Sequence, residues 1–330
     1  PHTTGINFFM RYNKINESNR CARSVTAAPL TGIRTQPRFL WSIFLLLSLL
    51  ATSGCAWLDE RQRQIIYRPT PGVPADFAGL RPGDERYFLT VPPLNSAPPA
   101  TDPISPVPQR IEVWWLPHDD AQAPALLYLH GTFRNLFENI HKIDELRAAG
   151  FSIMAVDYRG WGLSTPITPS ERSIMEDADR AWQEFQRRAP IAHQRVIYGH
   201  SMGSGVAVDL ASRLNGRADY GGLILESAFT SFKDVAAEAS MLARMLVSLN
   251  DERFDSIDKI EKVNAPILML HGALDDTIPV ALGQRLFDAA QPPKQWVVIE
   301  GGHHSDLQDV GARAYQAALA HFKDQFLAVP

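Results

Sequence analysis

The sequence predicts a doubly wound, mostly parallel α/β sheet with an antiparallel N-terminal start, and three observations predict it. Its 330 residues are 45% hydrophobic and 21% charged, enough apolar material for one large domain or two small ones. From Ala125 onward, short and nearly continuous apolar runs alternate with longer segments of helical period, as expected for strands buried on both faces and covered by helices. Ahead of that point, two apolar runs flank a proline-rich stretch that cannot donate to a sheet ladder. The composition excludes a disordered, collagen-like or disulfide-dense chain. With 32 bases, 36 acids and no basic block, nothing points to a nucleic-acid partner.

The first two strands are expected at 87–91 and 111–116. Between Pro69 and Pro108 lie eleven of the 24 prolines, so residues 92–108 should form a long loop between them. Six further strands are expected at 125–129, 151–156, 195–198, 222–225, 266–270 and 295–299. A helix over 135–149 should end at Gly150, which suits a C′ position. Thr168-Pro169-Ser170-Glu171 reads as a capping box with Pro169 at N1, opening a helix through Arg188. In that helix Ile174, Ala178, Trp182 and Phe185 share one face. Helices also fit 201–215, 232–248, 281–290 and 311–326.

The N-terminal leader has a different character. Residues 1–54 hold six bases and one acid, which leaves 26 bases and 35 acids for residues 55–330. Residues 39–51 are apolar apart from two serines, too few for a membrane span, which needs roughly 20 residues. After the positive flank of Arg34 and Arg38 they suit a signal-peptide core. The small residues Ala51-Thr52-Ser53-Gly54 and then Cys55 resemble a bacterial lipobox, although Thr52 stands where Leu or Val is usual. Cleavage there would make Cys55 a lipidated first residue and discard Cys21, the only other cysteine. The expected organisation is a leader over 1–54 that is removed or disordered, N-terminal strands and a Pro-rich loop over 55–110, and the main α/β core over 111–330. The expected location is the bacterial cell envelope, anchored to a membrane through Cys55 and facing the periplasm or exterior.

Gly199-His200-Ser201-Met202-Gly203 carries the sharpest chemical signal. It follows the apolar run 196–198 and precedes the helical stretch 206–214, so it reads as a nucleophile elbow that lifts the Ser201 hydroxyl above the sheet. The N–H groups at the start of the next helix then face the reaction centre. From about Ile111 to Leu327 the chain resembles an α/β-hydrolase, and is similar to the small, cap-poor, membrane-associated serine hydrolases of that superfamily. Further motifs carry the resemblance: His130-Gly131-Thr132; Asp157-Tyr158-Arg159-Gly160-Trp161-Gly162-Leu163-Ser164; Glu226-Ser227-Ala228-Phe229-Thr230-Ser231; and His271-Gly272-Ala273-Leu274-Asp275-Asp276-Thr277-Ile278-Pro279.

The resemblance implies a Ser-His-Asp triad, because serine is a weak nucleophile until an oriented base takes its proton. Ser201 is the expected nucleophile and Asp275 the expected acid, with Asp276 as its neighbour and alternative. The base falls in Glu300-Gly301-Gly302-His303-His304-Ser305-Asp306-Leu307, where alignment with the family ending favours His304 and leaves His303 as the alternative. The backbone N–H of Met202, after the nucleophile, and that of Thr132, carried over from the family's turn, are expected to form the oxyanion hole, with Phe133 next in line. His130 and His200 are expected to pack as structural residues. No cofactor or metal is implied.

The expected function is hydrolysis of a small-molecule carboxylic ester or thioester through an acyl-enzyme. One alternative is a prolyl-oligopeptidase-like peptidase, although residues 55–111 are too few for its propeller. The other is a non-catalytic binding protein with this fold, although every candidate triad member is present. The span between Ser231 and Ala265 leaves little room for a cap, and Met241, Leu242, Met245 and Leu246 are expected either to line one wall of an open, apolar-rimmed site or to pack in the core.

Overall fold

In a computed structural model, residues 57–92, 108–239 and 251–327 are described. Eight strands form one sheet: β1 (Glu85–Val91), β2 (Gln109–Leu116), β3 (Ala125–Leu129), β4 (Ser152–Asp157), β5 (Arg195–His200), β6 (Gly222–Glu226), β7 (Ile267–Gly272) and β8 (Lys294–Ile299). Their order across the sheet is β1-β2-β4-β3-β5-β6-β7-β8. The β1–β2 and β2–β4 pairings are antiparallel and all later pairings are parallel. Each strand lies within two residues of its expected position. Alternation decides the layers: Leu127 and Leu129 of β3 enter one apolar cluster, while Leu126 and Tyr128 enter the other.

Helices cover both faces. One cluster receives Ile174, Ala178, Trp182 and Phe185 of α3 (Glu171–Arg188), Val206 and Leu210 of α4 (Met202–Ser212), and Leu282 and Leu286 of α6 (Val280–Ala289). The other receives Ile143 and Leu146 of α2 (Ile140–Ala148) with Tyr315, Leu319 and Phe322 of α7 (Ala312–Phe326). The described part of the expected helix 232–248 is α5 (Phe232–Ala239).

Three local expectations need correction. The cap of α3 is Ser170 rather than Thr168, and its partner is Ser173: the Ser173 amide donates to Ser170 Oγ at 3.1 Å, and the Ser170 amide to Ser173 Oγ at 2.9 Å. Glu171 does not close the box because its carboxylate accepts from the amides of Arg253 and Phe254. Helix α2 begins at Ile140 rather than Asn135 because the preceding turn is committed elsewhere. The Leu136 amide donates to Asp157 Oδ1 at 3.0 Å, and Asn135 Nδ2 donates to the carbonyls of Thr70 and Gly72. Finally, residues 57–67 form a helix, α1, where only strands and loop were expected. It buries Gln62 and Tyr67, half-buries Ile66 against the core, and turns Trp57, Leu58, Arg61 and Ile65 outward. The leader 1–54, Cys55, most of the Pro-rich loop, and Met241, Leu242, Met245 and Leu246 lie outside the described residues.

Candidate active site

Ser201 stands at the turn from β5 to α4 with φ 54° and ψ −125°, a conformation unfavourable for any side-chain-bearing residue. Two glycines make the turn possible. A Cβ on Gly199 would collide with the carbonyl of Gly203, and one on Gly203 would collide with the carbonyl of Leu129 on the neighbouring strand. The Ser201 amide donates to the Glu226 carbonyl at 3.0 Å, tying the turn to the end of β6. Such strain persists only where the surroundings over-determine it, and here the sheet does so.

The loops after β7 and β8 bring two more of the expected residues to Ser201. His304 Nε2 lies 2.8 Å from Ser201 Oγ, and His304 Nδ1 lies 2.9 Å from Asp275 Oδ2 and 3.1 Å from Oδ1. All three side chains are nearly buried. Asp275 Oδ1 also accepts from the amides of Thr277 and Ile278, at 3.0 and 2.8 Å. Burial pushes the Asp275 carboxyl up, but the hydrogen bond and charge of His304 and the Ile278 amide outweigh it and hold it down at about 2. The two alternatives are not brought into this chain. Asp276 is exposed, and His303 faces solvent while its amide donates to Asp306 Oδ1 at 2.6 Å.

Around the hydroxyl, Gly131, Thr132, Phe133, Ser201 and His304 line a narrow slot. The Met202 amide opens α4, where a helix has no acceptor one turn back. The Phe133 amide is engaged, donating to the Tyr67 carbonyl at 3.2 Å, whereas among the described residues the Thr132 amide takes no partner. The slot adjoins a cleft of about 400 Å³ whose walls include Phe133, Arg134, Asp276, His303, His304 and Asp306. The rim is therefore more polar than the expected apolar one over the described residues. His130 lies fully buried beneath the turn, with Nε2 3.3 Å from Asp157 Oδ1.

Sequence reading missed a buried polar cluster under the site. Glu226, at the end of β6, accepts from Tyr198 and Tyr315 and pairs with Lys142 of α2. His200 is buried alongside: its Nε2 faces the His304 carbonyl at 2.9 Å and Glu226 Oε1 at 3.8 Å. Both are acceptors, so Nε2 carries the proton and donates. Burial pushes the His200 pKa down to about 3, keeping the ring neutral. Ser227 Oγ donates to the same His304 carbonyl at 3.3 Å. A lone Lys in an amphipathic helix gives no hint of this; the only available signal was an acid, Glu226, closing an otherwise apolar strand.

A sheet of this order, with a serine at the strained turn after its fifth strand and a histidine–aspartate pair beside it, defines a hydrolase of the α/β class. Comparison agrees: the chain belongs to the α/β-hydrolase superfamily. Residues 121–258 match the family model described as "Serine aminopeptidase, S33". An uncharacterized protein of Mycobacterium tuberculosis is 30% identical over 286 residues, covering 85% of this chain and 93% of that protein. The lysophosphatidylserine lipase ABHD12 of Danio rerio is 34% identical over 196 residues, covering 55% of this chain and 51% of the relative. Among solved structures, an esterase of Pyrococcus furiosus shares the fold with a TM-score of 0.58 at 15% identity, over 78% of this chain and 98% of that one.

Proposed function

We propose that the protein is a serine hydrolase that cleaves carboxylic esters or thioesters through an acyl-enzyme. The observation that carries this reading is the continuous chain Ser201 Oγ–His304 Nε2–His304 Nδ1–Asp275, with every link between 2.8 and 3.1 Å. Ser201 Oγ attacks the acyl carbon while its proton passes to His304, and the Thr132 and Met202 amides receive the charge on the carbonyl oxygen. The tetrahedral adduct collapses by breaking the bond to the alcohol or thiol, which leaves with the proton from His304. Water then repeats the sequence on the acyl-Ser201 ester and frees the acid. Asp275 stays ionised, orients the imidazole and stabilises its charged form.

The polar cleft beside the slot supports a substrate whose alcohol portion carries a polar group, with Arg134 in its wall. The lipase name of the Danio rerio relative points the same way, toward esters of amphiphiles. Labelling by a fluorophosphonate, followed by a series of acyl p-nitrophenyl esters, tests the assignment. Wild type should label and turn over, and Ser201→Ala should do neither; labelling that persists in Ser201→Ala defeats it. A second reading, a peptidase, is favoured by the description of the family model that matches residues 121–258. Turnover of aminoacyl amides at rates comparable to esters would establish it. The lipobox-like residues before Cys55 support export and lipid anchoring; radiolabelled palmitate should be incorporated by wild type and not by Cys55→Ser.

A further inference from the structure

Helix α1 presents a side that the protein leaves uncovered. Trp57, Leu58 and Ile65 are 61%, 44% and 69% exposed, unusual values for three large apolar side chains within nine positions. At 100° per residue, Trp57, Leu58, Arg61 and Ile65 fall within a single arc of about 100°. Arg61, on that side, and Arg68, the residue after the helix, are both exposed. The acids of the helix turn away from it. Asp59 pairs with Arg63 at 2.8 Å, and Glu60 accepts from Thr168 Oγ1 at 3.2 Å. An apolar and basic stripe therefore stands on a part of the chain, residues 55–330, that carries nine more acids than bases.

We propose that this side of α1 seats on the surface of an anionic phospholipid bilayer. Tryptophan, leucine and isoleucine bury at the headgroup boundary while the arginines meet lipid phosphates, the composition of an interfacial helix. Charge complementarity selects an anionic surface over a neutral one. The lipid anchor proposed at Cys55 selects a bilayer over a second protein, since Cys55 lies two residues before Trp57. Among the described residues no helix is long and apolar enough to cross a membrane, so α1 lies along the surface.

The location has a consequence for catalysis. The Tyr67 carbonyl, at the end of α1, accepts the Phe133 amide at 3.2 Å, and Phe133 is 39% exposed on the wall of the Ser201 slot. The C-terminal end of α1 thus lies beside the wall of the slot, which brings the docked helix close to the site that an ester drawn from the bilayer would enter. This last step rests on the hydrolase reading above, whereas the docking does not.

The test uses the full chain with vesicles rich in phosphatidylglycerol that contain brominated lipid. Trp57 is one of seven tryptophans, so the readout is the difference in quenching between wild type and Trp57→Phe. Wild type should show the larger quenching, Ser201→Ala should match wild type, and pure phosphatidylcholine should reduce the difference. Leu58→Ser/Ile65→Ser, which keeps Trp57, should remove the excess quenching and slow hydrolysis of a vesicle-borne ester about fivefold, with the rate on soluble p-nitrophenyl acetate unchanged. Arg61→Gln/Arg68→Gln, which leaves the packed side of the helix intact, should weaken the quenching. Equal quenching in wild type and Trp57→Phe overturns the proposal, as does a Trp57-dependent dimer seen by light scattering. Quenching that persists while no variant hydrolyses any ester would leave the docking standing and defeat the hydrolase reading alone.

Discussion

Two histidine–aspartate pairs sit within the same sheet-end architecture, each with its aspartate side chain at 0% exposure, and differ in what reaches the carboxylate. His304–Asp275 borders the slot at Ser201, and Asp275 collects a histidine and two amides, so its carboxyl is held at about 2. His130–Asp157 is sealed at 0% exposure. There Asp157 Oδ1 receives the Leu136 amide and a longer approach from His130, and Oδ2 finds no hydrogen-bond partner. Burial accordingly wins, and the Asp157 carboxyl is pushed up. Residue identity does not decide between a charged, working carboxylate and a structural one. The number of donors that reach it does.

The comparison can be broken most directly at the histidines. His304→Ala should lower kcat by about 10⁴–10⁶, measured on a p-nitrophenyl ester, whereas His130→Ala should stay within about tenfold and lower Tm instead, because it empties a buried ring site. Comparable losses of activity in both would erase the distinction. At the acids, Asp275→Asn should cost about 10⁴ in kcat through loss of imidazole orientation, and Asp157→Asn about tenfold or less. A smaller step separates the adjacent histidines: His303→Ala should cost tenfold or less by the same assay, since only His304 reaches Ser201.

Acid titration sharpens the contrast further. The Asp275 carboxyl is depressed from 3.8 to about 2, so its contribution to stability is complete above 3.8 and is lost as pH falls from there toward 2. The stability gap between wild type and Asp275→Asn, from urea melts across pH, should therefore be widest above pH 4 and close toward pH 2. His200 acts over a higher range. Its pKa falls from 6.5 to about 3 on folding, so below 6.5 the unfolded chain takes up a proton that the folded chain refuses, and stability declines as pH drops to 3. His200→Gln keeps a donor for the His304 carbonyl and removes that titration. It should flatten this part of the curve while retaining most activity, whereas His200→Leu should flatten it and lose activity.

Much of this was legible in the sequence because strands buried on both faces write themselves as continuous apolar runs. All eight strands and the turn at Ser201 followed from such runs and from the residues that end them, whereas Asp275 and His304 followed from the resemblance of the loops after the last two runs to those of α/β-hydrolases. What escaped was set by long-range partners. The start of α2 depends on Asp157, and the cap of α3 depends on where Glu171 is drawn, by amides 82 and 83 residues away. Helix α1 escaped because an apolar–basic outer stripe masks the inward period on which amphipathic reading depends. The Lys142–Glu226 cluster escaped because its members come from α2, β5, β6 and α7, which only the folded sheet brings together.

The grip on the His304 carbonyl, from His200 at one strand end and the Ser227 turn at the next, has a kinetic meaning. In the proposed cycle the imidazole must act on two different oxygens, first that of the departing alcohol and later that of the incoming water. A loop moored at its main chain gives the ring one station from which to do both. The two oxygens must then occupy the same place in turn, and the first product has to leave before the second reactant can be activated. Ping-pong order would in that case be written into the spacing of two parallel strands.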